Sequence, residues 1–356
     1  MTVSIEEILT PQQADETSWV AFHRLRQLAF DEELGQGVRQ VTPENALKAE
    51  RSDTMFATRR WLAWLDSQPV GTAVLDINTV DDPTGGFVTI FVVPGLRRHG
   101  IGRQLAERVR TGLGQETTRL VSEISTPPPS GDEMILTSPS GAGAVPKDHP
   151  GVQMALSFGF RLGQVGRIGH YEFEDPAVPL DQALSEARAA ARGYEVLCLE
   201  GVPAPELRDD LAVLKARMSV DEPVGELPRV LTQWDAARVV EFYSGQAEVC
   251  RVFIALAVEK ATGRAVAINE LLSSRSLPAN PLYQWDTLVL PEHRGHRLGM
   301  LVKAANLQAV HAAVPEARLV TTFNAAENQP MLAVNEALGF RTHHLAGSFS
   351  ITREQS

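Results

Sequence analysis

Residues 87–109 read FVTIFVVPGLRRHGIGRQLAERV, and residues 283–307 read YQWDTLVLPEHRGHRLGMLVKAANL. Both stretches run from an apolar strand through a proline and a basic, glycine-bearing turn into a helix with one apolar face. Three matched pairs keep a constant offset of 197 residues: Pro94 and Pro291, Arg97 and Arg294, and Gly102 and Gly299. A repeat of this length indicates a duplicated domain, because solenoid repeats span only about 20 to 50 residues.

The flanks of the two stretches also match. Each stretch follows two apolar strands joined by a tight turn, at 67–71 in the first half and at 262–263 in the second. Each is followed by a short strand and a helical pattern that ends in Gly-Phe, at 158–160 and at 338–340. We therefore predict an α+β fold, a mixed α/β sandwich of two tandem domains, each with a mostly antiparallel central sheet flanked by helices.

The domain limits follow from a change of pattern after Glu174. The segment EDPAVP precedes a helix-like stretch, LDQALSEARAAARG, and YEVLCLEG then opens a new strand. The sequence thus predicts an N-terminal domain over 1–176, a linker helix over 177–192 and a C-terminal domain over 193–356. The stretch 126–151 is rich in Pro, Ser and Gly, and we predict a long loop that is either a functional lid or disordered decoration.

Composition excludes several classes of function. The 356 residues carry 33 Lys and Arg against 44 Asp and Glu, a formal charge of -11, which argues against nucleic-acid partners. No apolar run reaches the ~18 residues of a membrane span, and the N-terminus lacks a signal-peptide pattern, so we expect a cytoplasmic protein. Cys198 and Cys250 are expected to be reduced thiols, and the nine histidines lack metal-binding spacing. A monomer and a homodimer both remain open.

The basic turns have the character of an anion site. A strand that leads through a glycine-bearing turn into a helix directs free backbone N–H groups and the positive end of the helix dipole at one spot. That spot suits a phosphate. Neither turn has the GxGxxG pattern of a dinucleotide-binding fold or the GxxxxGK[ST] pattern of a P-loop.

The motif Arg97-x-x-Gly100-x-Gly102 after Val-Val-Pro resembles the acyl-CoA loop of the GNAT superfamily of N-acyltransferases. The Gly-Phe endings resemble the closing segment of that family. Because both halves show the pattern, the chain is identified as a tandem GNAT protein, an arrangement shared with the mycothiol synthases of actinobacteria. The resemblance implies acetyl-CoA (coenzyme A) as cofactor and a small-molecule amine as acceptor.

The resemblance also implies where coenzyme A binds: its pyrophosphate on the two turns and its pantetheine arm along the strand ends. In the first half the implied residues are Val92, Val93, Arg97, Arg98, His99, Gly100, Ile101, Gly102 and Arg103. In the second half they are Leu288, Val289, Leu290, Arg294, Gly295, His296, Arg297, Leu298, Gly299 and Met300, with Asn324 and Asn328 further along.

Two of these assignments have alternatives. Arg297 stands where the first half has Gly100, so its side chain either blocks the site or turns outward and adds a cation. Asn324 and Asn328 can equally be a turn residue and a helix N-cap.

Catalytic residues are harder to assign, because the Glu and Tyr that many family members use are missing at their places in both halves. Polar substitutes occur only in the second half: Asp286 and Thr287 on the third strand, Glu270 on the strand before it, and Asn335 in place of the Tyr. Neighbouring strand residues face opposite sides, so Asp286 and Thr287 cannot both face the cleft without a bulge. A solvated or salt-bridged residue is the alternative for Glu270 and Asp286.

Other polar side chains are weaker candidates. His149 and Tyr171 are candidates to face the cleft of the first domain, although a histidine in a loop is more often solvated. Asp221, Glu222 and Glu226 lie where the family places a substrate-contacting loop and would suit a cationic amine.

We therefore predict an acetyl-CoA-dependent N-acetyltransferase for a small amine, with the C-terminal domain catalytic. The N-terminal domain then binds an acyl-CoA structurally or has lost activity. The alternative is a non-catalytic, acyl-CoA-binding regulatory protein, and a third possibility is acylation of a cysteinyl amine, as in mycothiol synthases.

Overall fold

The computed structural model describes residues 3–131, 133–275, 277 and 281–353. The elements of the first half are β1 (Val3–Ile8), α1 (Thr17–Leu34), α2 (Pro43–Ser52), β2 (Phe56–Leu65), β3 (Gln68–Asn78), β4 (Asp82–Val92), α3 (Ile101–Gly112), β5 (Arg119–Thr126), β6 (Ile135–Thr137), β7 (Ala144–Pro146), α4 (Pro150–Ser157) and β8 (Arg161–Glu172). Those of the second half are α5 (Leu180–Ala190), β9 (Tyr194–Glu200), α6 (Arg208–Asp221), α7 (Ala236–Val249), β10 (Cys250–Glu259), β11 (Ala265–Ser274), β12 (Leu282–Val289), α8 (Leu298–Ala313), β13 (Leu319–Ala325), α9 (Gln329–Leu338) and β14 (Arg341–Thr352).

The chain divides into two compact units that exchange their last strands. Unit 1 contains the described residues up to Val165, residues 225–227 and those from Ala346 onward, and unit 2 contains 166–224 and 228–345. Most of β8 therefore lies in unit 2, whereas the end of β14 lies in unit 1. The predicted domain limits, at 176 and 193, treat each domain as one continuous segment of the chain. They remain a prediction about which segments fold independently.

In unit 1 the sheet has antiparallel strands β1 to β4, followed by β5, which is parallel to β4. Residues 346–352 of β14 also belong to unit 1, and β14 is the neighbour of β5 in the strand order. The Arg353 N–H donates to the Thr118 carbonyl at 2.7 Å. Helix α3 covers one face with its predicted apolar residues Ile101, Leu105 and Val109, all of which are buried. Helices α1 and α2 cover the other face.

Unit 2 repeats this arrangement. Its strands β9 to β12 are antiparallel, β13 is parallel to β12, and residues 166–172 of β8 pair with β13. Helices α5 and α8 cover one face, and α6 and α7 cover the other. The predicted linker helix is α5, but its residues Ala183, Leu184 and Ala187 are buried in the core beside α8. This helix is part of the folded unit and does not act as a free connection.

The predicted hairpins are confirmed, but the first turn lies at 66–67 and not at 67–71, because β3 already begins at Gln68. Asp66 (φ +47°) and Ser67 (φ +63°) are both left-handed, as a type I′ turn requires, although neither is glycine. The stretch 126–151 differs from the prediction of a loop without structure, because it contains the hairpin of β6 and β7. Here Val145 is fully buried and gives the hairpin an anchor.

Helices α2 and α7 are not predicted from the sequence pattern, although each has an N-cap signal. The Thr42 side chain accepts from the Asn45 N–H at 3.2 Å, and Pro43 takes the first helical position. The Asp235 carboxylate accepts from the Arg238 N–H at 2.8 Å.

Both Gly-Phe endings form the same helix cap. Gly159 (φ +84°) ends α4 and Gly339 (φ +106°) ends α9, each in the left-handed region. The following residue donates back into the helix, Phe160 to the Ala155 carbonyl at 3.0 Å and Phe340 to the Asn335 carbonyl at 2.9 Å. This is the bonding of a Schellman motif, in which glycine avoids the penalty of a Cβ atom.

Two histidines, the half-buried His23 and the buried His170, make stability sensitive to acid. His23 packs against Trp19, and His170 stacks on His343 at 4.5 Å. Burial first, and then the neighbouring charges of Arg60 and Arg26, lower the pKa of His23 to about 4. Burial and then His343 and His344 lower the pKa of His170 to about 4 as well. Both imidazoles are therefore neutral in the folded protein at pH 6.

We expect the two histidines to lower the urea midpoint as the pH decreases from about 6.5 to 4. The unfolded histidines take up protons near pH 6.5 that the folded ones refuse, so the two together remove about 3 kcal/mol per pH unit in this window. Burial raises the pKa of Glu123 to about 7, so this carboxyl binds its proton more tightly in the folded state and offsets roughly half of that loss. Urea titrations at several pH values measure this loss. The double variant His23→Gln/His170→Gln should lack it, and an unchanged slope in that variant would contradict the assignment.

No helix among the described residues is both long and apolar enough to cross a membrane.

Cys198 and Cys250 are free thiols, the first exposed and the second half-buried.

Candidate active site

The two basic turns share one backbone conformation. In unit 1, Arg98 (φ +66°) and Gly100 (φ +81°) are left-handed. At the matched positions of unit 2, Gly295 (φ +86°) and Arg297 (φ +57°) are left-handed too. The order of the two residue types is therefore reversed between the units, while the backbone conformation of the turn is the same. Arg297 has the left-handed backbone that Gly100 has in unit 1.

The side chain of Arg297 turns outward. It is 58% exposed, and its Nη1 atom lies 3.8 Å from a carboxylate oxygen of Glu186 on α5. Of the two alternatives that the sequence leaves open, the structure has the outward orientation. A left-handed arginine costs about 1–2 kcal/mol relative to a right-handed one, so the turn keeps this cation at the expense of stability.

Each turn directs free amides at its helix start. The first intrahelical bonds are donated by Gln104 to the Gly100 carbonyl and by Leu301 to the Arg297 carbonyl. The N–H groups of the preceding helical residues, 101–103 and 298–300, have no partner one turn earlier. A Cβ atom at Gly100 or Gly295 would meet nothing within 4 Å, so both cradles are open. Their geometry suits a diphosphate.

Arg97 and Arg294 brace the turns. The Nε atom of Arg97 donates to the Val92 carbonyl at 3.0 Å, and that of Arg294 donates to the Val289 carbonyl at 3.1 Å. The remaining nitrogens bind carboxylates at the end of the first long helix of each unit, Glu32 at 2.7 Å and Asp221 at 2.8 Å. We therefore expect these arginines to shape the cradle, whereas the family resemblance implies that they contact coenzyme A directly.

The strands that precede the turns separate from their parallel neighbours. The described parallel pairs of β4 and β5 lie between 85–87 and 119–121, and those of β12 and β13 join 282–283 to 320–321. On the hairpin side, Val93 donates to the Val70 carbonyl and Leu290 to the Val266 carbonyl, both at 3.0 Å. The other edge of 92–93 and of 288–290 faces the gap, where an extended arm with amide groups can pair as a strand does.

A β-bulge in β12 distinguishes unit 2. Asn269 is opposite Thr287, whereas Leu271 is opposite Gln284, so two residues of β12 share one partner position at Glu270. The bulge turns Trp285 and Asp286 to the same face of the sheet, the face covered by α6 and α7. The sequence leaves the direction of Asp286 open because it shows no sign of the bulge.

Asp286 and Glu270 meet at a buried lysine that sequence reasoning missed. The Lys215 Nζ atom on α6 lies 2.6 Å from the Asp286 carboxylate and 3.0 Å from that of Glu270. The Tyr243 hydroxyl of α7 donates to the other oxygen of Glu270. Lys215 and Glu270 are buried, and the side chain of Asp286 is 25% exposed. Asp286 is therefore the member of this cluster that solvent or a ligand reaches.

The two carboxylates keep Lys215 protonated. Burial alone would lower the pKa of Lys215, but the charges of Glu270 and Asp286 outweigh it and raise that pKa. Burial raises the pKa of Glu270, against which the Lys215 charge acts. The cluster has two acidic side chains for one basic one, and this excess of acidic groups suits a protonated amine.

Aromatic rings enclose the ammonium group of Lys215. The Nζ atom lies 4.7 Å from the ring centroid of Phe242, 5.4 Å from that of Trp234 and 5.5 Å from that of Trp285. Phe242 and Trp285 stack with their centroids 5.1 Å apart. The order of Trp234, the Asp235 N-cap and Phe242-Tyr243 is a signal of α7 that a sequence search for helix starts could have found.

The other predicted catalytic residues lie apart from this cluster. The Thr287 hydroxyl accepts from the Asn269 side chain at 2.9 Å, and Asn269 in turn contacts Asn306 of α8. Thr287 thus faces the opposite side of the sheet from Asp286. The structure therefore brings Asp286 and Glu270 together and places Thr287 apart from them, because strand alternation separates Thr287 from the bulged pair.

Asn335 binds the asparagine predicted to contact coenzyme A. Its amide donates to the Asn324 side-chain oxygen at 2.6 Å, and its own oxygen is buried without a partner among the described residues. Asn328 caps α9 and accepts from the Met331 N–H at 3.4 Å, which is the N-cap alternative left open by the sequence.

Of the three acidic residues predicted beside an amine, only Glu222 lies near Asp286. Burial, and then the charge of Asp286, raise the pKa of Glu222. Asp221 instead pairs with Arg217 and Arg294. Glu226 belongs to unit 1, where its N–H donates to the Gly163 carbonyl at 3.1 Å.

Unit 1 has the cradle without the bulge. Its strands β3 and β4 pair in one continuous register from Gly71 opposite Val92 to Ile77 opposite Gly86. The strand therefore places no carboxylate at the position of Asp286. The expectation that Tyr171 faces this cleft is wrong, because Tyr171 lies on the exchanged part of β8 and is buried in the core of unit 2. His149 precedes α4 as its N-cap residue.

Comparison with known proteins agrees with this fold. Residues 19–122 match the model of the acetyltransferase (GNAT) family. A tandem GNAT protein from the clavulanic acid biosynthesis pathway, solved without acetyl-CoA, is 24% identical, with 99% of this chain and 100% of that chain covered at a TM-score of 0.70. A GCN5-related N-acetyltransferase from Sphaerobacter thermophilus is 12% identical, with 99% and 97% covered at a TM-score of 0.63. No curated protein matches by sequence.

Residues 19–122 thus resemble the acetyltransferase (GNAT) family, and the fold over nearly the whole chain is that of a tandem GNAT protein. The predicted resemblance and the predicted fold class are confirmed. Among the described residues, no group of three or more His, Cys, Asp or Glu side chains is arranged to hold a metal ion.

Proposed function

We propose that the protein is an acetyl-CoA-dependent N-acetyltransferase for a small-molecule amine and that unit 2 performs the chemistry. The bulge of β12 carries this proposal, because it directs the partly exposed carboxylate of Asp286 beside the strand end that leads to the second cradle. At the matched positions of β4, Val88 and Thr89, unit 1 has neither a bulge nor a carboxylate.

Asp286 acts as the general base. Its inner side faces Lys215 at 2.6 Å, and its exposed side is free to accept a proton from the acceptor ammonium. An amine must lose that proton before it attacks a thioester. Two acidic side chains, Asp286 and the nearby Glu222, suit an acceptor that approaches as a cation.

The second cradle holds the acyl donor. The open turn at Gly295 and the free amides of 298–300 fit a diphosphate. The edge of 288–290 lies beyond the described pairing of β12 with β13 and fits the pantetheine arm. When bound, acetyl-CoA supplies the activated acyl group. The backbone N–H near Val289 is the donor that we assign to the developing negative charge on the thioester oxygen.

Unit 1 binds an acyl-CoA without transferring its acyl group. Its turn has the same left-handed pair and an equally open cradle, which favours binding. The alternative for the whole chain, a non-catalytic acyl-CoA-binding protein, requires that unit 2 also lacks turnover.

Calorimetric titration with acetyl-CoA tests both cradles. Gly100→Asp and Arg297→Asp each place a carboxylate on one diphosphate site, at matched positions where Asp tolerates the left-handed backbone. Gly100→Asn and Arg297→Asn are the controls, because Asn has the same shape without the charge. We expect each Asp variant to raise Kd at its own site at least about tenfold above its Asn control, which corresponds to about 1.4 kcal/mol.

Turnover is measured as thiol release with a panel of primary amines. The proposal expects release with Gly100→Asp and a loss with Arg297→Asp at subsaturating acetyl-CoA. Binding without release for every amine would favour the non-catalytic alternative. An absence of binding by the wild-type protein would overturn the acetyltransferase assignment.

A further inference from the structure

Lys215 has more partners than a structural ion pair needs. One carboxylate would neutralise its charge, yet its Nζ atom contacts both Glu270 and Asp286 and lies near the faces of three aromatic rings. Two of these partners, Trp285 and Asp286, are the bulged residues of β12. A single ammonium group therefore contacts both side chains that the bulge turns toward α6.

Stability alone is a poor explanation for this arrangement. A buried ion pair is often no more stabilising than apolar residues of the same volume, because removing its charges from water is costly. A bulge also disrupts the ladder of backbone hydrogen bonds and needs other contacts to maintain one conformation. Lys215 supplies such contacts from the opposite layer. Its own position is maintained by Glu270, which accepts a second bond from Tyr243.

We propose that Lys215 is a positioning residue that holds the bulge of β12 in place and thereby aims Asp286 at the acceptor amine. This inference rests on the proposed function for its catalytic consequence, but the position of the bulge can be measured without turnover. Lys215 itself does not touch the reacting atoms.

The test uses the variant Lys215→Met/Glu270→Gln in the full-length chain. The second substitution removes the carboxylate that would otherwise be buried without a counter-ion, so the variant has a better chance of folding than Lys215→Met alone. Glu270→Gln is the matched control, and Lys215→Arg tests whether another cation restores the contacts. Urea titration of each variant verifies that it is folded.

The first measurement is acrylamide quenching of Trp285, isolated as the difference from a Trp285→Phe version of each protein. Trp285 is 37% exposed, so its quenching constant can still rise. We expect at least a twofold rise in Lys215→Met/Glu270→Gln and little change in Glu270→Gln. An unchanged constant would overturn the proposal whether or not the wild-type protein turns over any amine.

The second measurement is a double-mutant cycle on kcat with Asp286→Asn. If Lys215 acts through Asp286, Lys215→Met/Glu270→Gln lowers kcat about tenfold to a hundredfold in the wild-type background and adds nothing in the Asp286→Asn background. Equal losses in both backgrounds would show a merely structural role. The failure of the wild-type protein to release thiol would instead count against the proposed function, and the quenching result would still decide the positioning role.

Discussion

Asp286→Asn is expected to lower kcat for amine acetylation at least about a hundredfold, because general-base catalysis contributes roughly 10²–10⁴ to a rate. The asparagine side chain has nearly the same shape and still accepts a hydrogen bond from Lys215, but it cannot accept the proton of the acceptor ammonium. The Kd for acetyl-CoA should change less than twofold, because both cradles are formed by other residues.

Steady-state thiol release and calorimetry measure these two quantities on the same preparation. Asp209→Asn is a suitable control, since it makes the same chemical change at an exposed position of α6. Retention of more than about a tenth of the wild-type kcat by Asp286→Asn would exclude Asp286 as the base, since the effect would fall below the usual range. A parallel loss of acetyl-CoA binding would indicate that the variant disturbs the second cradle.

The second large effect concerns stability and compares the two Gly-Phe caps. Gly339→Ala should lower the free energy of unfolding by about 3 kcal/mol, because a left-handed alanine is strained and its Cβ atom must be forced into an occupied space. That atom would lie 2.6 Å from the backbone nitrogen of Ala177, so main chain must move. Gly159→Ala has the same type of strain, but its Cβ atom would meet only the end of Ile351, at 3.5 Å.

We therefore expect Gly159→Ala to cost only about 1–2 kcal/mol. Urea unfolding followed by circular dichroism gives both values, and the difference between the variants isolates the collision with Ala177 from the strain of the left-handed cap. Equal losses of unfolding free energy in the two variants would mean that the backbone around Ala177 moves aside without a free-energy cost.

The duplicated features of this fold follow from local signals. The offset of Pro94, Arg97 and Gly102 identifies both basic turns, and apolar residues at helical spacing correctly predict the buried faces of α3 and α8. The Gly-Phe endings mark two helix caps that need a left-handed residue. These features depend on residues close together in the chain, where spacing and glycine content carry the information.

The candidate site is less predictable because its contacts are distant in sequence. Glu270 and Asp286 are expected as polar substitutes, but Lys215 precedes them by 55 and 71 residues and lies on a helix with no sign of a buried charge. The bulge depends on how β12 pairs with β11, which alternation within one strand does not reveal. Thr287 is misassigned for the same reason. The left-handed backbone at Arg297 also runs against the preference of its residue type.

The exchange of the last strands has a consequence for biosynthesis. Residues 346–352 belong to unit 1, yet the ribosome makes them after nearly all of unit 2. Unit 1 therefore stays incomplete, with the edge of β5 exposed, until the rest of the chain has been translated. The exposed edge makes unit 1 a candidate for chaperone binding at that stage. A gene cut between the repeats would produce two fragments that each lack a strand, so the two halves are best compared through point variants of the intact chain.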